Sequence, residues 1–520
     1  MARLPLDVVA SAQLARARRL RPPRRPLNLA MLLTALTAAG FSEPSSTSHL
    51  HSVTRPSKRV GGSPIIPLSH PRNAPRRVEQ VHLMGASSDS VHVTWSSNDS
   101  ALVGAQRSVV ELRAAGTTAW SEVTGGYGEV YSAFQDPAPW QIPPPVCNNP
   151  RNYTNPECFY TSGALHSVQL TSLTPATKYE YRVKDDPDGR TFGFTSPPAA
   201  GSKTITFGVV GDLGQTTNAS ETVDGLHAAL DNATIDAVLL AGDLSYADGD
   251  HYRWDSYARL FEPLWSSVPT AHAGGNHEVS NGNENWLAYS RRYPNAHLDS
   301  GSASFLWYSF EAGPAHVVVL CSCAARNSRR AIRRAILGAQ FSDAATHHLS
   351  RYAATGPGSS QFEWLKRDLA KVDRTKTPWL VVMQHTPWYT SNAHHPMTEG
   401  APMRAAMEPL FLGAGVDLVL TGHVHAYERT HAVADGKIDE KHGIVHVTIG
   451  DGGNREEFAT PWLPDQPPWS ALREYAYGWG TLALNSTHLV WEWLRNDDPW
   501  NPPGERVGDS FVLTTRAGRK

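Results

Sequence analysis

Cysteine is scarce in this chain: four residues in 520. Two of them, Cys321 and Cys323, form a lone C-x-C at the end of the apolar run Val317 to Leu320. A C-x-C without a second ligand pair does not make a zinc cluster, so these read as buried, inert thiols. The other two, Cys147 and Cys158, sit in a Pro-rich segment from Asp136 to Pro156 and just beyond it. In an oxidising compartment a disulfide there would contribute roughly 2–3 kcal/mol; two free thiols are the alternative. Long hydrophobic runs are also missing. No uninterrupted apolar stretch reaches the ~18–20 residues of a membrane span, which argues against a membrane protein. Charge of one sign is missing as well, since the formal net charge is −2. That argues against a general nucleic-acid binder, which carries a basic face. The balance hides an asymmetry, because Arg16, Arg18, Arg19, Arg21, Arg24 and Arg25 crowd the N-terminal arm.

What is present is a chain of two or three domains, with 40% hydrophobic and 9% aromatic residues to build their cores. Residues 1–45 read as a targeting segment. A basic stretch ends at Arg25, Leu27 to Phe41 is mostly apolar, and small residues cluster near Ala38, Ala39 and Gly40. This is the layout of a secretory signal with a long basic region, so the expected location is extracellular; an organellar transit peptide is the rival. Residues 46–75, rich in Ser, Pro and His, read as a disordered linker. Asn98, Asn152, Asn218, Asn232 and Asn485 stand in Asn-x-Ser/Thr tripeptides, which modestly support a secreted glycoprotein.

Residues 76–198 carry short alternating strands: Val78 to Leu83, Ser90 to Trp95, and two more within His166 to Val183 around a Leu-Thr-Pro turn. This is the pattern of a small antiparallel sandwich. Residues 202–515 change grammar. Ile205, Phe207 and Val209 alternate like a half-buried strand and stop at Gly211-Asp212. Ala237 to Ala241 is a continuous apolar run that stops at Gly242-Asp243, and Glu221 to Leu230 has helical spacing between the two. A β-α-β unit of this kind makes its strands parallel and puts both aspartates at one sheet edge. Further runs end at Gly275-Asn276-His277-Glu278, at His385 after Trp379 to Met383, and at Gly422-His423-Val424-His425 after Val416 to Leu420. Asp248 to Trp265 reads as a helix whose aromatic stripe is core. Ala324 to Ser360, with Arg326, Arg329, Arg330, Arg333 and Arg334 and the pair His347-His348, reads as a solvated helical insertion, or as a basic anion-attracting patch.

The blocks GDLG, GDLSYAD, GNHE, QHTPWY and GHVHAYER, in this order, resemble the signature blocks of the purple acid phosphatases, and the likeness runs from about Val78 to about Leu513. The resemblance implies an α/β catalytic domain, a calcineurin-like metallophosphoesterase β-α-β-α-β sandwich, preceded by an all-β fibronectin-III-like domain. It implies a phosphatase that cleaves phosphate monoesters by metal-hydroxide attack. Asp212, Tyr246 and His425 would hold one metal, Asn276, His385 and His423 the other, and Asp243 would bridge them. Two metals ~3.5–4 Å apart neutralise phosphoryl oxygens and generate a nucleophile from water. The carboxylate and phenolate set suits iron(III), and the neutral amide and imidazole set suits a divalent ion: zinc, manganese or iron. His277, His394 and His395 resemble outer-sphere histidines that hold phosphate and protonate the leaving alkoxide, with His395 the first choice for the acid. The expected partner is a phosphorylated small molecule. Phosphodiesters, nucleotide pyrophosphates and phytate are alternative substrates for the same metals, and a non-catalytic recognition protein is the reading from another class. No cysteine follows GHVHAYER, so a homodimer would be non-covalent.

Overall fold

The structure is a computed structural model that describes residues 53–54, 77–98, 107–135, 159–279, 284–294, 297–323, 354–496 and 506–516. The targeting segment, most of the linker, Cys147 and Cys158, Asn152 and the five clustered arginines after Cys323 lie outside them.

The first strands are β1 (Val78–Met84), β2 (Val91–Ser97), β3 (Arg107–Ala114), β4 (Ser121–Tyr127), β5 (Ala164–Leu170), β6 (Lys178–Val183) and β7 (Phe192–Thr195). They form two layers, β1-β2-β5 facing β7-β6-β3-β4. Alternate side chains of each strand meet between them: Val91, Val93 and Trp95 from β2, Val168 and Leu170 from β5, Tyr181 and Val183 from β6. Strand periodicity puts every second residue on one face, so the alternation in the sequence becomes this core.

The catalytic part opens with β8 (Thr204–Val210), α1 (Thr217–Asp231), β9 (Ala237–Leu240), α2 (Tyr252–Trp265) and β10 (Thr270–His272). Strands β8, β9 and β10 pair in parallel. Helix α1 starts where Thr216 accepts a hydrogen bond from the Ala219 amide, and it buries Ala219, Val223 and Leu226 along one stripe. Helix α2 begins at Tyr252, four residues later than the aromatic spacing predicts. Asp248 at φ 49° and Gly249 at φ 88° hold a left-handed backbone that no α-helix can include.

The chain continues through α3 (Leu287–Arg292), β11 (Tyr308–Ala312), β12 (Ala315–Val319), α4 (Ser360–Leu369), β13 (Trp379–Met383), α5 (Ala401–Ala414), β14 (Leu418–Thr421), β15 (Tyr427–Thr430), β16 (Val445–Ile449), β17 (Ser470–Glu474), β18 (Gly478–Asn485), β19 (His488–Arg495) and β20 (Val507–Thr514). One sheet runs β20-β19-β18-β8-β9-β10-β1-β2-β5, and the other runs β17-β15-β16-β14-β13-β12-β11 with Val53–Thr54 beside β17. The sandwich is therefore joined to the catalytic sheet by Met84 pairing with Thr270, reinforced by the Gly85 amide on the Thr270 carbonyl at 2.8 Å.

The two sheets face each other, and their strands feed two cores by turns. Phe207, Val209, Leu239, Val317, Val381 and Leu418 lie between the sheets. Val210, Leu240, Val318, Val382 and Val419 lie beneath the helices. This corrects the half-buried reading of β8, whose second face is also closed because α1 covers it, with Leu226 and Ile235 packed over Gly208. Burial on both faces is the usual state of parallel strands flanked by helices.

A buried polar network ties the sandwich to α2 and α3. Arg292 donates to Gln80 Oε1 at 2.7 Å, Asp255 Oδ1 at 2.9 Å and the Tyr160 hydroxyl at 2.5 Å, while Arg259 pairs with Glu79 at 2.5 Å.

Candidate metal centre

Six loops leave the carboxyl ends of β8, β9, β10, β13, β14 and β16 on one rim, where open α/β sheets present their ligands. The backbone there is unusual. Asp212, Asp243, Tyr246, Asp248 and His423 have φ between 49° and 70°, a left-handed region that non-glycine residues occupy at a cost of order 1–3 kcal/mol each. The strain is held in place by Glu278, the last residue of GNHE. Its buried carboxylate accepts the amides of Gly275 at 2.8 Å, Leu244 at 2.9 Å and Asp243 at 3.0 Å, binding two loops together.

All seven residues expected as ligands converge. Asp212 Oδ1 lies 3.1 Å from the Tyr246 hydroxyl and 3.5 Å from His425 Nε2, and the hydroxyl lies 2.9 Å from that same nitrogen. Beside this trio, Asn276 Oδ1 faces His385 Nε2 at 3.0 Å and His423 Nδ1 at 2.7 Å. Asp243 joins the second set through Oδ2, which is 3.0 Å from His385 Nε2. Its Oδ1 accepts the His277 amide at 2.8 Å.

The donors fit a pair of cations. Asp243 Oδ2 is buried, accepts no well-aligned hydrogen bond and points at the other donors, so that its charge is offset by His385 Nε2 at 3.0 Å, where a cation would act in its place. Burial, with the Asp212 and Asp243 charges behind it, pushes the Tyr246 phenol well above its usual range. Burial opposes a charge on His385 and the Asp243 and Asp212 carboxylates favour one, so that its imidazole is pushed up to about 9. Protons thus sit on groups that a cation would deprotonate.

Of the three outer histidines, the structure brings two to the rim. His277 is buried, packs against Tyr246 with ring centroids 4.0 Å apart and the planes tilted by 36°, and sets Nδ1 2.6 Å from Asp248 Oδ1. Burial disfavours its charge, but Asp248 and Asp243 outweigh that and raise it well above the usual histidine range. His395 packs its ring 4.5 Å from that of His423. His394 is exposed and touches His395 at 4.7 Å without reaching a ligand. The Asn392 side chain accepts both their amides, at 2.9 and 3.0 Å, and so shapes the loop. Cys321 and Cys323 are buried thiols outside the donor set, and burial pushes Cys323 well up.

Several participants escape motif reading. Glu278 and Asp248 stand inside the recognised blocks. Arg455 ion-pairs Asp248, Glu456 Oε2 lies 3.5 Å from His277 Nε2, and Glu399 lies 2.7 Å from His423 Nε2. The last three come from loops other than those of the residues they touch, so only their proximity to GDGGN and HHPMTEG could have signalled them.

Sheet order and strand-end ligands define a metallophosphoesterase. The family model described as calcineurin-like phosphoesterase matches residues 205–427. The purple acid phosphatase N-terminal domain matches 78–224, and the iron/zinc purple acid phosphatase-like protein C matches 443–501. Purple acid phosphatase 18 of Arabidopsis thaliana is 38% identical over 424 residues, covering 81% of this chain and 82% of the relative. Fe(3+)-Zn(2+) purple acid phosphatase 12 of the same plant is 36% identical, over 65% of this chain and 70% of the relative. The chain belongs to the purple acid phosphatase family. The solved purple acid phosphatase PPD1 from yellow lupin shares the fold, with a TM-score of 0.61 at 22% identity over 85% of this chain and 75% of that one.

Proposed function

We propose that this chain hydrolyses phosphate monoesters at an iron(III)–divalent metal pair. In this reading Asp212, Tyr246 and His425 hold the iron, Asn276, His385 and His423 hold the divalent ion, and Asp243 serves both. What carries the proposal is the sorting of donors into two neighbouring sets of different chemistry. One combines a carboxylate, a phenol and one imidazole; the other combines an amide and two imidazoles around Asn276 Oδ1. Hard anionic donors favour a trivalent ion and neutral nitrogen donors a divalent one. The relative named Fe(3+)-Zn(2+) purple acid phosphatase 12 supports the same pairing. When bound, such a pair offsets phosphoryl charge and lowers the pKa of water enough for hydrolysis at acid pH.

The chain's own residues supply the rest. Asp248 holds Nδ1 of His277, so the ring keeps one orientation and leaves Nε2 between Glu456 Oε2 at 3.5 Å and Asp243 Oδ2 at 3.9 Å. There it grips a phosphoryl oxygen. His395 stands at the open side of the rim, over His423 and partly exposed, where it gives a proton to the departing alkoxide.

Metal analysis with visible spectroscopy tests the reading. Iron held by a phenolate absorbs in the visible, so Tyr246→Phe should bleach the protein, and Asp243→Asn should lose metal, colour and phosphate release together. A colourless, fully active wild type with two divalent ions would refute it.

A further inference from the structure

A histidine that gives one ring nitrogen to a metal must carry its proton on the other, and that proton needs an acceptor. The three candidate histidine ligands meet this need in two ways. His385 directs Nδ1 to the Ala241 carbonyl at 2.8 Å, and His425 directs Nδ1 to the Glu457 carbonyl at 3.0 Å. Both keep Nε2 for the site. His423 is reversed. Its Nδ1 faces Asn276 Oδ1 at 2.7 Å, and its Nε2 meets not a carbonyl but the carboxylate of Glu399, with Oε2 at 2.7 Å. That same oxygen lies 3.3 Å from Nδ1 of His395. One carboxylate oxygen therefore accepts hydrogen bonds both from a ligand of the divalent set and from the outer histidine beside it.

We propose that Glu399 is a positioning residue that fixes the proton on Nε2 of His423 and on Nδ1 of His395 at once. The proposal rests on the metal assignment above. For His423 the consequence is a free Nδ1 and a more basic ring, because a charged acceptor enriches the imidazole more than a carbonyl does. For His395 it is a free Nε2, the atom that exchanges the proton with the leaving group, in the manner of a histidine oriented by an aspartate. The two neutral-acceptor histidines have no such link to the acid. Retention of the divalent ion and proton delivery thus share one side chain, placed just before α5 by the turn in which the Glu399 amide meets the Pro396 carbonyl at 3.0 Å.

The test uses full-length protein carrying iron, titrated with chelator-buffered zinc. Glu399→Gln keeps the shape and removes the charge; Glu399→Leu removes the acceptor too. Zinc binding should weaken by about 10–100-fold, more for Leu than for Gln, while iron content and visible absorption stay at wild-type values. His395→Ala should bind zinc normally. At saturating zinc, Glu399→Gln should lose kcat mainly on substrates with basic leaving groups, and combining it with His395→Ala should add little further loss. Glu399→Asp, which keeps the charge on a shorter arm, should fall between wild type and Gln and serves if the others fold poorly. Unchanged zinc affinity, equal loss of both ions, or additive kcat losses would each overturn the Glu399 role. A wild type that binds fewer than two ions would instead overturn the metal assignment beneath it.

Discussion

Gly275 offers a stringent check on how closely the two catalytic loops pack. Its φ of −111° and ψ of −171° suit any residue, so replacing it with alanine strains no backbone. The obstacle is space alone. An added Cβ would lie 2.6 Å from the Asp243 nitrogen and 2.7 Å from its carboxylate carbon, and nearer still to Oδ1. Carbon atoms rest about 3.5–4.0 Å apart, so the carboxylate must retreat by roughly 1 Å. The amide cannot rotate away, because Glu278 pins both the Gly275 and Asp243 N–H groups. Overpacking of this kind costs about 1–3 kcal/mol of stability, a tolerable loss for a folded domain. The catalytic effect should be larger, since a ~1 Å misplacement costs about 10²-fold in rate. Gly275→Ala should therefore fold, bind metal substoichiometrically and lose at least that much kcat. Gly126→Ala, where a Cβ would meet nothing within 4 Å, is the matched control. Metal content by mass spectrometry, circular dichroism and phosphate release on one preparation give the answer. An alanine variant with two ions and wild-type turnover would show that the loops do not press on Asp243 as described.

His395→Ala should keep both ions and the colour but lose about 10²–10⁴-fold in kcat, with the loss shrinking for nitrophenyl esters, whose leaving group needs little protonation. A rise in KM with unchanged leaving-group dependence would assign the residue to phosphate binding instead. Arg292→Met should destabilise by about 3–5 kcal/mol, because Asp255 keeps a buried charge without its partner. Urea unfolding measures this, and a loss under ~1 kcal/mol would mean that the network is solvated rather than buried.

The catalytic strands were legible because their physics is local. Ala237 to Ala241 needs no context to read as a buried strand, and a Gly-Asp that ends it lands at the sheet edge by topology alone. The ligand set was legible only through the resemblance, block by block. What escaped depends on partners distant in sequence. Glu278 matters through amides on a loop 35 positions earlier, and Arg292 through Gln80, 212 positions away. No periodicity encodes such pairs. The start of α2 differs from the reading for another reason: its aromatic stripe extends the helical pattern across Asp248, whose left-handed backbone no α-helix can include.

The pairing of Met84 with Thr270 has a consequence for how the molecule can be divided. Strand β10 is three residues long and carries the loop that ends in Asn276. With the sandwich attached, it is an interior strand. A fragment beginning at residue 202 would turn it into the bare margin of a parallel sheet, with a vacant carbonyl at Thr270 and an uncovered apolar flank. Exposed margins of this kind recruit other chains. The small domain is in this sense the selvedge of the catalytic fabric, and the five residues between Thr270 and Asn276 are all that separate that woven edge from the proposed divalent site.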